Sequence, residues 1–323
     1  MNLTVTSSPH IRSNETTRRI MLDVIIALMP TLFAGVWIFG LRALMIALVS
    51  VVSCMAAEAL FCLVCRKPVT VGDGSAAVTG LLLAMTLPAT VPYWLVAVGG
   101  IFAVVLVKGM CGGLGQNVFN PALAARALLM LLFPVWMVRY AAPGADLPIF
   151  GTTVDTVTAA TALHHMVMPS LPHVTLADAF LGKMSGTIGE VSSLALLLGA
   201  AWLLYRKVIN IRIPASYLST IAVLTLVFHK TDTPLQWMLY SLLSGGIILG
   251  AFFMATDYAS SPVTPLGQVI YGIGCGVFTV IFRYFGLFPE GFTYAILLMN
   301  ACSWAIDRYT APRRFGVKKG GKV

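Results

Sequence analysis

The chain has few charged residues, and this scarcity excludes most classes of soluble protein. Only 10% of its 323 residues are Asp, Glu, Lys or Arg, whereas a soluble domain usually has about 25%. Hydrophobic residues make up 58%, and the mean hydropathy is +0.89. A soluble fold of this length would need more polar surface to cover its core, and disordered chains and coiled coils are far more polar. The composition predicts an integral membrane protein.

The cysteine positions do not form a metal-ligand pattern. The six cysteines lie mostly inside or beside apolar runs, which is typical of small buried residues rather than of a disulfide framework. Cys62 and Cys65 form a CxxC without a second pair to complete a four-ligand site. His164 and His165 lie in a segment with few further ligand residues. We therefore predict no metal site.

Ten apolar runs are present, and each is a candidate membrane-spanning helix, since a span needs roughly 20 apolar residues, or fewer where neighbours shield its ends. They are Ile20–Phe39, Ala43–Val64, Ala76–Leu87, Tyr93–Val107, Pro121–Val138, Ser192–Tyr205, Ile213–Phe228, Leu235–Ala255, Gly267–Phe285 and Phe292–Ile306. The third and fourth are short, as in broken or half-length helices. Within the eighth, Gly245 and Gly246 suggest close helix packing. The predicted fold class is an all-α integral membrane protein with about ten transmembrane helices.

The positions of Lys and Arg orient these spans, because cytoplasmic loops carry an excess of positive charge. With the N-terminus inside, fifteen of these residues lie in inner segments, and five lie in outer segments, namely Arg42, Arg139, Lys183, Lys230 and Arg283. Shifting the assignment by one helix would remove the bias. Both termini are therefore predicted to be cytoplasmic, and the long hydrophilic segment before Ser192 is predicted to face outside.

The predicted organisation has two membrane halves of five helices each. A cytoplasmic segment (1–19) precedes the first half (20–138), an outer-face segment (139–191) precedes the second half (192–306), and a basic cytoplasmic tail (307–323) follows. Two repeats with an odd number of spans would be inverted relative to each other. The sequence therefore allows an architecture of two inverted five-helix halves.

Threonines are concentrated in the outer segment, between Thr152 and Thr161. By composition alone this is a β-prone or helix-capping stretch. The run Asp155-x-x-Thr158-Ala159-Ala160-Thr161 resembles the D-x-x-[ST]-G-A-T flavinylation motif of membrane subunits that carry covalent FMN, with Ala159 where glycine is usual.

Further motifs of the same family occur in the family's order along the chain. They are Asp73-Gly74-Ser75-Ala76-Ala77-Val78-Thr79-Gly80, Gly112-Gly113-Leu114-Gly115-Gln116-Asn117-Val118-Phe119-Asn120-Pro121, Gly186-Thr187-Ile188-Gly189-Glu190, Asp257-Tyr258-Ala259-Ser260-Ser261-Pro262 and Pro289-Glu290-Gly291. The chain thus resembles the NqrB/RnfD family, which contains RnfD of the Rnf electron-transport complex and NqrB of the sodium-pumping NADH:quinone oxidoreductase. Its short polar N-terminal segment favours the Rnf member.

This resemblance implies a membrane subunit of an ion-translocating (Na⁺ or H⁺) ferredoxin:NAD⁺ oxidoreductase in the cell inner membrane. In the family the last Thr of the motif, here Thr161, is esterified through the FMN phosphate by a separate flavin transferase, and Asp155, Thr158, Ala159 and Ala160 form the attachment motif. Members of the family also hold a noncovalent riboflavin, which the resemblance implies here as well. The implied partners are RnfA, RnfB, RnfC, RnfE and RnfG, with no nucleic acid. By itself the chain is expected to have no turnover.

The glycine-rich inner segment 112–120 has two interpretations. Its backbone amides lead into the span that begins at Pro121 and could hold an anion or a polar ring edge. Alternatively, Asn120 as N-cap and Pro121 at the first helical position explain the segment without a ligand. Under the first interpretation, Gly113, Asn120 and Arg126 are the candidate residues for cofactor contact.

Three ionisable residues lie within predicted spans, where charge is costly and usually faces a protein interior or a water-filled path. Glu58 is the deepest carboxylate and our candidate for an ion path. Arg126 is predicted to pair with a flavin or a carboxylate, or to extend toward the inner surface. Asp23 is predicted to form an interfacial pair with Arg18 or Arg19.

Three alternative functions remain at this point. The NqrB component of the quinone-linked sodium pump is the first alternative. A flavin-free solute channel or transporter on a similar scaffold is the second, and it predicts an unmodified Thr161. A purely structural membrane anchor is the third, and it predicts that Thr161→Ala leaves electron transfer intact.

Overall fold

The computed structural model describes residues 16–150, 175–182, 184–286 and 291–312. Within these ranges the chain is helical and has no strands, and extended backbone pairs only in an isolated bridge between Pro88 and Thr187. The prediction of an all-helical fold is confirmed for this part of the chain.

The helices lie at the predicted apolar runs. The first half contains α1 (Thr17–Phe39), α2 (Leu41–Val64), α3 (Ser75–Met85), α4 (Tyr93–Gly109) and α5 (Pro121–Leu132). The second half contains α6 (Ser193–Tyr205), α7 (Arg212–Val227), α8 (Pro234–Leu243), α9 (Ile247–Met254), α10 (Pro265–Phe285) and α11 (Phe292–Thr310). A 3₁₀ turn (Val71–Asp73) precedes α3, and short helices (Pro134–Met137 and Leu176–Leu181) lie between the halves.

Side-chain caps fix the starts of several helices by binding backbone N–H groups of the first turn, which have no partner within the helix. Asn120 accepts from the amides at the start of α5, where Pro121 occupies the first position. Ser192 caps α6, and Thr264 caps α10. The helix-start interpretation of Asn120 is therefore confirmed.

The apolar surface of the helices is typical of a membrane protein. Among the described residues, three helices, α1, α2 and α10, are long and apolar enough to cross a bilayer, or four spans if the bent pair α8–α9 is one. Only 33–39% of the most apolar window of each of the three is buried within the chain. Side chains such as Trp37 and Phe285 are more than 80% exposed, and so large an apolar surface would be unfavourable in water. Ten membrane crossings remain a prediction.

Two kinds of interruption, a bend and π-helical segments, distinguish the described part of the fold from a simple bundle. The helices α8 and α9 meet at a bend of 60°, where Gly245 and Gly246 have positive φ angles of 75° and 65°. These two glycines break the span, which we did not predict. Close packing is also present at Gly246, where a Cβ atom would lie 2.8 Å from the Phe292 ring of α11. The end of α4 (Phe102–Gly109) and the end of α9 (Gly250–Met254) are π-helical, a geometry often found at functional sites.

The two halves contact each other along α1 with α6 and along α5 with α11. A Cβ atom on Gly199 of α6 would lie 2.0 Å from the carbonyl oxygen of Ala27 in α1, so the first contact depends on glycine. These contacts enclose the space in which the candidate site lies.

Candidate functional site

A cavity lies between the two halves, on the side where α1, α3 and α5 begin and α4, α6 and α9 end. We call it the interhalf cavity; its volume is about 90 Å³. Exposed Leu114 and Tyr258 border it. Its walls are mainly apolar, formed by Ile20, Met21, Val24, Val78, Leu82, Leu203, Phe252 and Phe253. Polar groups complete it, namely Ser75, Thr79, Lys108, Asn117, Asn120, Thr256 and Asp257. Apolar walls with a few convergent polar groups are typical of cofactor sites.

Both π-helical segments contribute to this cavity. The segment that ends α4 supplies Lys108, and the segment that ends α9 supplies Phe252 and Phe253. The cavity therefore lies where regular helix geometry is interrupted in both halves.

Asn120 joins the two halves beside the cavity. Its side-chain oxygen accepts from the amides of Ala122 at 3.1 Å and Leu123 at 3.3 Å, and its Nδ2 donates to the carbonyl of Met254 at 3.3 Å. One residue thus caps α5 and binds the end of α9, which fixes the relative position of two cavity walls.

Asp257 follows α9 and places a carboxyl group at the cavity. Ser260 Oγ donates to it at 3.0 Å, the amide of Ala259 donates at 3.5 Å, and Asn117 also hydrogen bonds to it. Burial raises the pKa of the Asp257 carboxyl, an effect that these hydrogen bonds partly oppose. The group can therefore donate or accept a hydrogen bond according to its protonation state.

A second cavity of about 310 Å³ lies beside α2 and the end of α4. Glu58 and Lys108 meet at its wall, with Lys108 Nζ 2.6 Å from Glu58 Oε1. Thr70 Oγ1 donates to the same carboxylate oxygen at 2.9 Å. Gly113, with φ of 105°, also borders this second cavity.

On the opposite side of the fold, a buried guanidinium holds the start of the outer segment. Arg42 Nε donates to the carbonyl of Ala89 and its Nη1 to the carbonyl of Pro148, both at 2.8 Å. Tyr93 Oη donates to the carbonyl of Ile149 at 2.5 Å, and its ring lies 5.2 Å from the Arg42 guanidinium. The chain is thus anchored immediately before residues 151–174.

The predicted site residues fall into separate regions. Asp155, Thr158, Ala159, Ala160 and Thr161 lie outside the described residues, so the flavinylation motif stays a prediction.

The other predicted residues can be placed. Asn120 lies at the interhalf cavity, whereas Gly113 and Glu58 lie at the second cavity. Arg126 is buried, with its guanidinium 5.0 Å from the centre of the Phe292 ring. Their roles in binding a cofactor or an ion remain predictions.

Two charged residues have partners that we did not predict. Asp23, expected to pair locally, is bound by Arg206, the residue directly after α6, with Arg206 Nη2 3.1 Å from Asp23 Oδ2. Lys108, expected to be a cytoplasmic loop charge, is 3% exposed and paired with Glu58. A lysine directly after an apolar run, with a carboxylate deep in a neighbouring span, was the signal for this pair. Asn117 and Asp257 each lie within a family motif, which was the signal for them.

Comparison with known proteins places the chain in a family. Residues 4–316 match the family described as NQR2, RnfD, RnfE. The chain is 47% identical to the D subunit of the Na⁺-translocating ferredoxin:NAD⁺ oxidoreductase complex of Acetobacterium woodii, covering 99% of this chain and 97% of the relative. It is 39% identical to the D subunit of the proton-translocating ferredoxin:NAD⁺ oxidoreductase complex of Clostridium ljungdahlii, covering 98% and 97%. The D subunit of an ion-translocating oxidoreductase complex from Halorhodospira halophila is 38% identical, covering 96% and 94%. The chain therefore belongs to the NQR2, RnfD, RnfE family.

Proposed function

We propose that this chain is the RnfD-type membrane subunit of an ion-translocating ferredoxin:NAD⁺ oxidoreductase, in which it relays electrons while Na⁺ or H⁺ crosses the membrane. The observation that carries the proposal is similarity over nearly the whole chain to two subunits whose names give that activity. The apolar helices support a place in the bilayer. Other subunits of the complex bind the soluble substrates.

Membrane vesicles test the assignment to a complex. Vesicles from cells that lack this chain should lose ferredoxin-dependent NAD⁺ reduction and regain it when the chain is restored. Chain-dependent quinone reduction by NADH, without ferredoxin activity, would instead identify the quinone-linked pump. Unchanged redox activity together with chain-dependent solute flux would identify the channel or transporter.

The proposal includes FMN attached to Thr161 through its phosphate, placed there by a flavin transferase. The support is the motif from Asp155 to Thr161 and the anchoring of the chain just before it by Arg42 and Tyr93. The anchor holds Pro148 and Ile149, which precede the segment that would carry the flavin. The attached flavin supplies the one- and two-electron chemistry, and the chain positions it.

Mass spectrometry tests this attachment directly. The chain, produced together with a flavin transferase, should give a fluorescent band on a denaturing gel and an FMN-sized mass increase on the peptide that contains Thr161. Both should be lost in Thr161→Ala. Thr158→Ser should keep both, because the motif allows Ser at this position and the acceptor hydroxyl of Thr161 is retained. An unmodified peptide in the presence of an active transferase would refute the attachment.

We further assign the interhalf cavity to a noncovalent flavin, of which riboflavin is the family's example. The residues fit such a group, since apolar side chains such as Phe252 and Val78 can contact the faces of a ring system. Amide and carboxyl groups of Asn117, Asn120 and Asp257 can hydrogen bond to its polar edge. Ligand pockets are usually about 300–1,000 Å³, so this cavity of about 90 Å³ would have to widen as the flavin binds.

Flavin released by acid from the purified chain tests this assignment. Wild-type protein should release one noncovalent flavin, and Asn120→Ala together with Val78→Trp should reduce its amount by about tenfold or more. Thr225→Ala, a buried hydroxyl on α7 that bonds its own helix, is the matched control. A wild-type amount of noncovalent flavin released from the variant with Asn120→Ala and Val78→Trp would refute the assignment.

The proposed topology has ten crossings, both termini in the cytoplasm and the segment containing Thr161 outside. Reporter fusions test it: a cytoplasmic reporter should be active after Thr310, and a periplasmic reporter should be active after Pro148. The opposite pattern would reverse the orientation.

A further inference from the structure

Lys108 lies between the interhalf cavity and the second cavity and borders both. Its Nζ is 2.6 Å from Glu58 Oε1, which belongs to the second cavity, and 2.6 Å from Ser75 Oγ, which belongs to the interhalf cavity. Ser75 Oγ in turn donates to Asp73 Oδ1 at 2.5 Å. One ammonium group therefore connects a group of each cavity through short hydrogen bonds.

Glu58 has one carboxylate oxygen that the described residues leave without a partner. Its Oε1 accepts from Lys108 and Thr70, whereas Oε2 is buried and has no hydrogen-bond donor among them. The residue is 4% exposed and borders the second cavity. A buried anionic oxygen without a donor is costly, so this atom is suited to take up a proton.

We propose that Glu58 and Lys108 form a proton relay from the second cavity to the interhalf cavity. Lys108 Nζ gives one proton to the group bound in the interhalf cavity and is left as a neutral amine. Glu58 Oε2 then takes one proton from water in the second cavity, which leaves hydroxide there, and rotation of the neutral carboxyl group brings its O–H to Nζ, which takes the proton and restores the ion pair. One proton crosses, and both side chains end as they began. The relay rests on the proposed function, because its acceptor is the flavin assigned to the interhalf cavity.

The geometry favours a proton over a metal cation at Glu58. Hard cations such as Ca²⁺ take about 6–8 oxygen ligands, whereas Oε2 is one oxygen beside an ammonium group that already neutralises the carboxylate. Ionisable residues within membrane proteins commonly form proton relays. The other titratable groups around the pair are Asp73, Lys67, Cys62 and Cys54.

Infrared spectroscopy of the purified complex tests proton uptake by Glu58 independently of turnover. Lowering the pH should produce the C=O stretching band of a protonated carboxylic acid, and this band should shift in D₂O if water reaches Oε2. The component of this band that belongs to Glu58 should be missing in Glu58→Gln and present in Asp23→Asn. Asp23 is a matched control because it is also a buried carboxylate in an ion pair with a basic side chain.

Stopped-flow reduction of the noncovalent flavin tests transfer through the pair. General acid–base groups contribute roughly 10²–10⁴-fold, so Glu58→Ala should slow the proton-coupled phase by about 10²-fold. Formate and acetate should restore it, because the truncation adds space to the second cavity. The restored rate should follow the pKa of the added acid, which a purely structural role does not explain. The double variant Glu58→Gln/Lys108→Met leaves no unpaired buried charge and should stay slow.

The outcomes separate the relay from the proposed function. Wild-type complex without a noncovalent flavin refutes the assignment of the interhalf cavity, and the infrared band still tests Glu58. Full flavin content with a wild-type rate in Glu58→Gln overturns the relay. Slow reduction without rescue by added acid also overturns it, as does a rate in wild type that follows Na⁺ concentration instead of pH.

Discussion

Replacing Arg42 by Met tests whether one buried guanidinium holds the outer loops in place. Arg42 is 1% exposed, and it makes two hydrogen bonds of 2.8 Å to backbone carbonyls and a longer one of 3.4 Å to Val91. A hydrogen bond to a charged group contributes about 1.5–3 kcal/mol, so the two short bonds together contribute about 3–6 kcal/mol. Water can reach the released carbonyls, so we take about 3 kcal/mol, which is about 10²-fold in a local opening equilibrium.

Hydrogen–deuterium exchange measures this opening. The amides of Val91 and Gly144 donate to nearby loop and helix carbonyls and should exchange about 10²-fold faster in Arg42→Met. Arg139→Met is the matched control, because it removes a second predicted outer-face charge whose guanidinium lies 5.2 Å from the Trp136 ring. Exchange within threefold of wild type in Arg42→Met, or equal acceleration in both variants, would refute the reasoning.

Three further predictions concern stability, measured by thermal unfolding of the purified chain in detergent. Gly199→Ala should lower the free energy of unfolding by about 1–3 kcal/mol, because the new Cβ would meet the Ala27 carbonyl. Gly72→Ala is the control and should lower it little, because a Cβ there would have nothing within 4 Å. Equal effects of the two changes would contradict the close α1–α6 contact. Asn120→Ala should cost about 1 kcal/mol through its lost cap, and an unchanged midpoint would contradict that role. Burial raises the pKa of Asp257, so folding favours its protonated form, and its contribution is lost as the pH rises through the folded pKa. The unfolding midpoint of Asp257→Asn should therefore rise relative to that of wild type as the pH rises from 4 to 8. A difference between the two midpoints that does not change with pH would contradict this.

The positions of the helices could be predicted because each apolar run must satisfy its own backbone groups in a membrane. Start signals such as Asn120-Pro121 made some boundaries specific. The break at Gly245 and Gly246 could not be predicted with the same certainty, since small residues serve both close packing and positive φ angles. The π-helical end of α4 has no signal that distinguishes it from regular helix.

The candidate site was predictable in its parts but not in its pairings. Glu58 was recognised by its depth in an apolar run, and Asn120 by its motif. The partner of Glu58 is 50 residues away along the chain, and the partner of Asp23 is 183 residues away. Packing of one helix against another decides such pairs, so a single sequence can suggest the candidate partners but does not fix which of them pair.

The two buried arginines nearest the broken spans have a common physical role. Arg42 binds the carbonyls of Ala89 and Val91 in the loop between α3 and α4. Arg283 binds the carbonyls of Ser241 and Ser244, both at 2.7 Å, where α8 ends. Backbone groups freed by a helix break must find donors within the protein at membrane depth, and a guanidinium offers several at once.

This role changes how the charge pattern orients the chain. Arg42 and Arg283 are two of the five Lys and Arg residues assigned to outer segments, and both are buried structural groups. The positive-inside rule concerns loop charges near the ends of spans, so neither arginine counts against the orientation. Lys108, buried beside Glu58, leaves the inner set for the same reason. The remaining loop charges favour cytoplasmic termini more strongly than the full count does. In that orientation we expect Thr161 and the interhalf cavity to lie toward opposite faces of the membrane.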